Sequence, residues 1–124
     1  SNLKKSDVVT KATFKLSYGS IEEITKKIDK IRVQREKNQP LKEKTSGSTF
    51  KNPPNNFAAS LIEKSGCKGL EIGDAKVSLK HANFLINKGK ASSTDIEELG
   101  KVIREKVFKK FDILLDWEIK IIGD

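Results

Sequence analysis

The sequence predicts an α+β domain in which a small mixed or antiparallel sheet packs against one long helix. Apolar and polar residues alternate over Ala75–Leu79, which is typical of a half-buried strand. Apolar residues recur every three or four positions from Ile96 to Phe111, which is typical of a helix. The chain has 124 residues, of which 35% are hydrophobic, so we expect a single modest core.

The chain begins with a predicted strand and a predicted helix. Alternation over Val8–Leu16 gives that strand one apolar face. Ser20 and Glu23 form a capping-box pattern at the start of the helix, which is expected to end near Asn38 because Pro40 follows. The apolar positions of this helix are Ile21, Ile24, Ile28 and Ile31.

Short elements are expected in the middle of the chain. Asn55 or Asn56 can cap a short helix through Ile62, and Gly66 supplies its left-handed C-terminal residue. Two strands follow, at Ala75–Leu79 and at 83–87, and we expect them to share a sheet.

The longest helix is expected in the last third of the chain, where Thr94 and Glu97 form a second capping-box pattern. Strands at Ile113–Leu115 and Trp117–Ile122 are predicted to follow it. In the second strand, alternation leaves Glu118 opposite the apolar residues that would face the core, which are Trp117, Ile119 and Ile121. The core stripe of the helix is Ile96, Leu99, Ile103, Val107 and Phe111.

The loop Gly47–Pro53 concentrates polar groups in a small space. Its glycine permits close approach of a ligand to the backbone, and the proline forces an extended conformation on the residue before it. Ser48 offers a hydroxyl, Lys51 a positive charge, and Asn52 both a donor and an acceptor. This set suits an oxygen-rich anionic ligand, although a plain turn between two elements has the same composition.

Short motifs follow one another in order over nearly the whole chain. They are Gln39–Leu41, Gly47–Pro53, Gly66–Gly69, Lys80–Phe84 and Leu115–Gly123. No single tetrapeptide among them is specific. As an ordered series they resemble the bacterial UDP-N-acetylenolpyruvoylglucosamine reductases, also called UDP-N-acetylmuramate dehydrogenases.

The resemblance implies that the chain is a piece of a longer enzyme. Residues 1–19 would comprise an expression scar and the last strand of a preceding flavin-binding domain, residues 20–40 a linker helix, and residues 41–124 the C-terminal substrate-binding domain. The N-terminal strand and helix would then be left over from the junction between the two domains. The absence of methionine from the sequence is consistent with an excised piece.

The resemblance also implies roles for individual residues. Ser48 occupies the position of the family's proton donor, and Glu118 that of its catalytic glutamate. Asn52 matches a substrate-contacting asparagine. The diphosphate of the substrate would meet basic residues, for which the candidates are Lys51, Arg35 and Lys37. Without the resemblance, the pattern around Glu118 favours an ordinary surface carboxylate paired with a neighbouring lysine.

Cofactors and partners follow from the same resemblance. The full-length enzyme would use FAD and NADPH and act on a UDP-sugar in the cytoplasm, with FAD bound mainly by the missing N-terminal domain. We expect no cofactor and no activity on the fragment alone, because it has no glycine-rich nucleotide motif. Cys67 and His81 are the only cysteine and histidine, which excludes an internal disulfide and a Cys/His metal cluster. No apolar run reaches the roughly 20 residues of a membrane span.

Two other functions fit parts of the sequence. The net charge of +8 suggests a module that binds nucleic acid or another polyanion. All but three of the 25 basic residues are lysines, however, whereas phosphate and base recognition favours arginine, so we expect no nucleic-acid partner. A serine hydrolase would have to pair Ser48 with His81, and Ser48 lacks the Gly-x-Ser-x-Gly setting.

Overall fold

The computed structural model describes residues 7–122 and contains three helices and a three-stranded sheet. The predicted expression scar at Ser1 and Asn2 lies outside the described residues, as does Gly123 of the last motif. The elements in chain order are α1 (Ile21–Asn38), α2 (Ala58–Lys64), β1 (Glu71–Ile72), β2 (Ala75–Val77), β3 (Leu85–Asn87) and α3 (Ser93–Phe111). The predicted α+β class is confirmed. No helix within residues 7–122 is long and apolar enough to cross a membrane.

The sheet is antiparallel with strand order β1-β2-β3, and α3 packs against it. Val77 of β2 pairs with Leu85 of β3, so the two predicted strands do share a sheet. The central stripe of α3 is also as predicted, since Leu99, Ile103 and Val107 are fully buried. Strand β1 was not predicted because two residues are too short to show alternation.

The cap of α3 differs from the prediction. Ser92, and not Thr94, is the N-cap: its side chain accepts a hydrogen bond from the Asp95 backbone N–H, and the Asp95 carboxylate accepts one from the Ser92 N–H. Both patterns satisfy the capping-box rule, but Ser92 has the extended backbone that an N-cap requires. The predicted cap by Thr94 and Glu97 is therefore wrong.

The cap of α2 comes from a residue outside the predicted pair. The side-chain oxygen of Asn52 accepts a hydrogen bond of 2.9 Å from the Ala58 backbone N–H. Asn55 cannot serve because it lies in the left-handed region, with φ of 58°. Gly66 is left-handed as predicted, with φ of 71°.

The predicted strand at Val8–Leu16 is not formed. Residues 7–20 contain neither helix nor strand and are exposed. A strand needs a neighbour to complete its ladder of hydrogen bonds, and no β-bridge to residues 8–16 is formed by the described part of the chain. Helix α1 forms as predicted, but Ser20 makes no side-chain cap and no residue of the helix is buried.

The two predicted C-terminal strands are wrong as regular strands. Residues 112–122 contain only an isolated antiparallel bridge, between Phe50 and Trp117. The alternation itself is present at first, because Trp117 and Ile119 are half-buried while Glu118 is exposed. It fails at Ile121, which is 52% exposed.

Candidate active site

One cleft of about 360 Å³ brings together four of the predicted site residues. They are Ser48, Lys51, Asn52 and Glu118. Residues that the site prediction did not include also line it, namely Phe50, Phe57, Ala59, His81 and Asn83. Side chains from three separate parts of the chain therefore converge on one space.

The backbone at Ser48 is fixed while its side chain is exposed. Gly47 before it has φ of 92°, in the left-handed region that favours glycine. Ser48 forms an antiparallel bridge with Phe84, and the next residue, Thr49, donates its N–H to the Asn83 carbonyl at 2.8 Å. The Ser48 hydroxyl therefore lies at the edge of the cleft, on a segment whose backbone is fixed by hydrogen bonds.

Asn83 anchors the same segment through its side chain. Its Oδ1 accepts a hydrogen bond from the Phe50 N–H at 2.9 Å, and its Nδ2 donates to the Phe50 carbonyl at 2.8 Å. The Asn83 side chain therefore makes the two backbone hydrogen bonds to Phe50 that a neighbouring strand would otherwise make. Asn83 is 4% exposed, and low exposure strengthens both bonds.

Glu118 lies on the neighbouring backbone segment. Its N–H donates to the Thr49 carbonyl at 2.9 Å, and the Lys51 N–H donates to the Asp116 carbonyl at 2.8 Å. These bonds flank the bridge between Phe50 and Trp117, so the segments that carry Ser48 and Glu118 are adjacent. No ion pair within residues 7–122 joins Glu118 to a lysine.

The oxygen and the NH2 group of the Asn52 side chain have different uses. Its oxygen is used by α2, which leaves the amide protons as the group that it can offer to a ligand. Lys51 beside it is exposed and supplies positive charge at the rim. Together they present hydrogen-bond donors to an acceptor-rich molecule.

His81 is held by neighbours on both ring and backbone. Its Nδ1 accepts a hydrogen bond of 3.3 Å from the Asn83 N–H, and its ring meets Phe84 edge-on at 4.7 Å between centroids. Burial lowers the pKa of His81, and the positive charge of Lys68 lowers it further. The imidazole is therefore neutral at pH 7 with its proton on Nε2. No hydrogen bond joins His81 to Ser48 in the described part of the chain, so the pair that a hydrolase needs is not formed.

Arg35 and Lys37 are not among the residues that line this cleft. Both lie in the last turn of α1, and Arg35 borders a separate apolar hollow of about 250 Å³ beside Ile28, Ile31 and Leu41. Their role in diphosphate binding stays a prediction. Cys67 is fully buried, as expected of a small core side chain, and burial raises the pKa of its thiol.

The sequence profile of the family described as "UDP-N-acetylenolpyruvoylglucosamine reductase, C-terminal domain" matches residues 39–122. The chain belongs to this family. The matched range includes all four of the predicted residues that meet in the cleft, and it confirms the resemblance found in the motif series.

Relatives of known name agree with the profile. The chain is 47% identical over 123 residues to the UDP-N-acetylenolpyruvoylglucosamine reductase of Gluconobacter oxydans, covering 99% of this chain and 40% of that protein. It is 49% identical over 123 residues to the reductase of the same name from Novosphingobium aromaticivorans, covering 99% of this chain and 41% of that protein. The chain thus spans about 40% of the length of these relatives.

A solved structure shares the fold. The crystal structure of UDP-N-acetylenolpyruvylglucosamine reductase from Thermus caldophilus matches with a TM-score of 0.73 at 38% sequence identity. The match covers 86% of this chain and 37% of that one. The α+β architecture is therefore that of part of a known reductase.

Proposed function

We propose that this chain is the substrate-binding and proton-donating part of a flavin- and NADPH-dependent reductase. The reaction converts UDP-N-acetylglucosamine enolpyruvate to UDP-N-acetylmuramate for peptidoglycan synthesis in the cytoplasm. The observation that carries the proposal is the single cleft into which Ser48, Lys51, Asn52 and Glu118 converge. The family membership of residues 39–122 supports the reaction.

The cleft offers a hydroxyl, a carboxyl group and amide protons, which suit the enolpyruvyl group of the substrate. The sequence has no glycine-rich dinucleotide-binding motif of the kind that would hold FAD. We therefore assign FAD mainly to the part of the full-length protein that precedes this domain. When bound, the reduced flavin supplies hydride to carbon 3 of the enolpyruvyl group.

Ser48 then supplies the proton that completes the reduction. Hydride arrival at carbon 3 leaves an enolate-like, strongly basic carbon 2, and the Ser48 Oγ–H transfers its proton to that carbon. A serine hydroxyl is a weak acid, but it can protonate so basic a carbon without losing its proton to water. The exposed hydroxyl on a fixed backbone segment is suited to this step.

Glu118 acts on the negative charge that develops at the carboxylate end of the enolpyruvyl group. A carboxyl group beside the substrate carboxylate, protonated or hydrogen-bonded, stabilises the enolate as it forms. The amide protons of Asn52 and the charge of Lys51 bind oxygens of the UDP-sugar. Arg35 and Lys37 on α1 are further candidates for the diphosphate.

The rest of the enzyme covers the exposed apolar surface of this chain. Helix α1 buries none of its residues, and Ile28 and Ile31 are each 58% exposed. We propose that residues 1–19 comprise an expression scar and the end of the preceding flavin-binding domain, that residues 20–40 are a linker helix, and that residues 41–124 form the substrate-binding domain. This division places the exposed faces of α1 and Val8–Leu16 against the missing domain.

Stopped-flow kinetics of Ser48→Ala in the full-length enzyme tests the proposal. Reduction of the flavin by NADPH should be nearly unchanged, because that step needs no proton at the substrate carbon. Oxidation of the reduced flavin by enolpyruvyl substrate should slow by at least ~10²–10⁴-fold, the usual contribution of a positioned general acid. Ser48→Cys should retain some activity, since a thiol also donates a proton. Equal slowing of both half-reactions would indicate a folding or binding defect, and an unchanged second half-reaction would remove Ser48 from the mechanism.

The net charge of +8 favours one other candidate, a polyanion-binding module. A gel-shift titration with nucleic acid separates the two functions, because phosphate neutralisation makes affinity fall steeply with salt. The reductase proposal requires that no specific, salt-dependent shift appears.

A further inference from the structure

We propose that Arg104, which lies on α3 outside the cleft, is a positioning residue for Glu118. The inference rests on the proposed role of Glu118. Arg104 is not among the residues that line the cleft, so any effect on the reaction must pass through another group.

Arg104 contacts the segment just before Glu118 at two points. Its Nε donates a hydrogen bond of 2.8 Å to the Leu115 carbonyl. Its guanidinium carbon lies 5.8 Å from the centre of the Trp117 ring, within the range of a cation–π contact. One half-buried side chain thus ties both a carbonyl and an indole of this segment to the helix.

Trp117 is enclosed on its other sides as well. Its ring occupies the space above Gly100, one turn before Arg104 on α3, and a Cβ built there would lie 2.7 Å from the Trp117 Cζ3 atom. The Phe50 and Trp117 ring centroids are 4.8 Å apart. The indole therefore connects α3 to the segment that carries Ser48.

These contacts hold residues 112–122 in place, where no helix or strand does so. Residues 112–122 belong to no helix or strand, and the bridge at Trp117 with its flanking backbone hydrogen bonds joins the segment to residues 49–51. Arg104 joins the same segment to α3. Because a displacement of about 1 Å in a catalytic group can cost about 10²-fold in rate, such a tie affects the reaction without touching the substrate.

A double-mutant cycle in the full-length enzyme tests this inference. The measured quantity is the rate at which enolpyruvyl substrate oxidises the reduced flavin, for Arg104→Ala, Glu118→Ala and the double variant. We expect Arg104→Ala alone to slow this step by about 10–100-fold and to leave flavin reduction by NADPH unchanged. In the Glu118→Ala background the same substitution should slow it by less than about 2-fold, because residues that act as one unit are not additive.

Control variants separate positioning from loss of folding. Lys101→Ala, an exposed change on the same helix, should alter neither half-reaction. Arg104→Lys keeps the charge but not the planar fork, so it should give an intermediate rate, and it carries the test if Arg104→Ala does not fold.

Two results would overturn the inference in distinguishable ways. Multiplicative slowing by Arg104→Ala in the Glu118→Ala background would show that Arg104 acts independently of Glu118, while the proposed reaction stands. A Glu118→Ala variant with an unchanged rate would remove both the role of Glu118 and the inference that depends on it.

Discussion

The indole of Trp117 stands where a side chain at Gly100 would be. A Cβ added to Gly100 would lie 2.7 Å from Trp117 Cζ3, a separation that real Cβ atoms essentially never show. Glycine inside a helix costs about 1 kcal/mol relative to alanine, because the flexible backbone loses more entropy. Helix α3 therefore contains a glycine at a buried position, where it lowers helix stability by about this amount. Because Gly100 has no side chain, the segment before Glu118 can lie directly on the helix.

Gly100→Ala should therefore destabilise the domain in spite of the better helix propensity of alanine. Overpacking costs about 1–3 kcal/mol, and the close approach of the indole puts this site toward the upper end of that range. After the gain of about 1 kcal/mol from helix propensity, we expect a net loss of up to about 2 kcal/mol. Urea unfolding measures it. The substitution should destabilise the domain less in a Trp117→Leu background, where the smaller side chain leaves room. An equal loss of stability in both backgrounds would show that the loss does not come from contact between residue 100 and the indole.

Asn83→Ala should destabilise the domain through the backbone of Phe50. The substitution leaves the Phe50 N–H and carbonyl without their partner, and each buried unsatisfied group costs about 1–3 kcal/mol. Asn56→Ala, an exposed change in a turn, is the matched control and should shift stability by less than about 0.5 kcal/mol. Thermal unfolding of the three proteins measures the difference, and similar midpoints for both variants would contradict the anchoring role.

Local patterns in the sequence predicted those features that short stretches determine. The apolar stripe through Leu99 and Ile103 identified α3, and alternation identified the strands that contain Val77 and Leu85. The polar composition of the loop that carries Ser48 is likewise visible in the sequence. These features depend on residues near one another in the chain, where periodicity is informative.

Contacts between distant residues were not predictable in the same way. The hydrogen bonds between Asn83 and Phe50 join residues 33 positions apart, and no local pattern distinguishes such an asparagine from one in a turn. The pairing of Phe50 with Trp117 likewise depends on two segments that meet only in the fold. Glu118 could therefore be placed near Ser48 only through the family resemblance.

The choice between two capping boxes gives a direct test of the fold at α3. Ser92→Ala should cost about 1 kcal/mol, the usual value of an N-cap, because the Asp95 N–H loses its acceptor. Thr94→Ala should change stability by less than about 0.5 kcal/mol, since Thr94 is exposed inside the first turn. Chemical denaturation of both variants compares them, and the reverse order would place the helix start two residues later.

Hydrogen exchange should separate the N-terminal part of the chain from the rest. Residues 8–20 have no ladder partner within residues 7–122, and α1 buries none of its residues, so their amides should exchange far faster than those of α3. In the full-length protein the same amides should become protected, because the proposed domain division places a preceding domain over them. Strong protection in this chain alone at low concentration would show that the segment belongs to the substrate-binding domain.

The pH dependence of stability should report on His81. Burial lowers its pKa in the folded protein, so below the ordinary histidine pKa of about 6.5 the unfolded chain takes up a proton that the folded chain resists. Stability should be fully present above about pH 6.5 and should fall as the pH decreases from there toward the lowered folded pKa. His81→Gln removes this titration, and the carboxylates that titrate at lower pH are common to both proteins.

Two measurements check the His81 prediction independently. As the pH falls from 8 to 5, the urea midpoint of the wild-type chain should fall relative to that of His81→Gln. The two curves should converge if the glutamine variant is the less stable at neutral pH, and should diverge if it is not; parallel curves would contradict the lowered pKa. Because His81 is the only histidine, its imidazole resonances can be followed by NMR without assignment of others. Their midpoint should lie below about 6.5, since a neutral ring has to give up its burial among Phe84 and the Asn83 backbone in order to become charged.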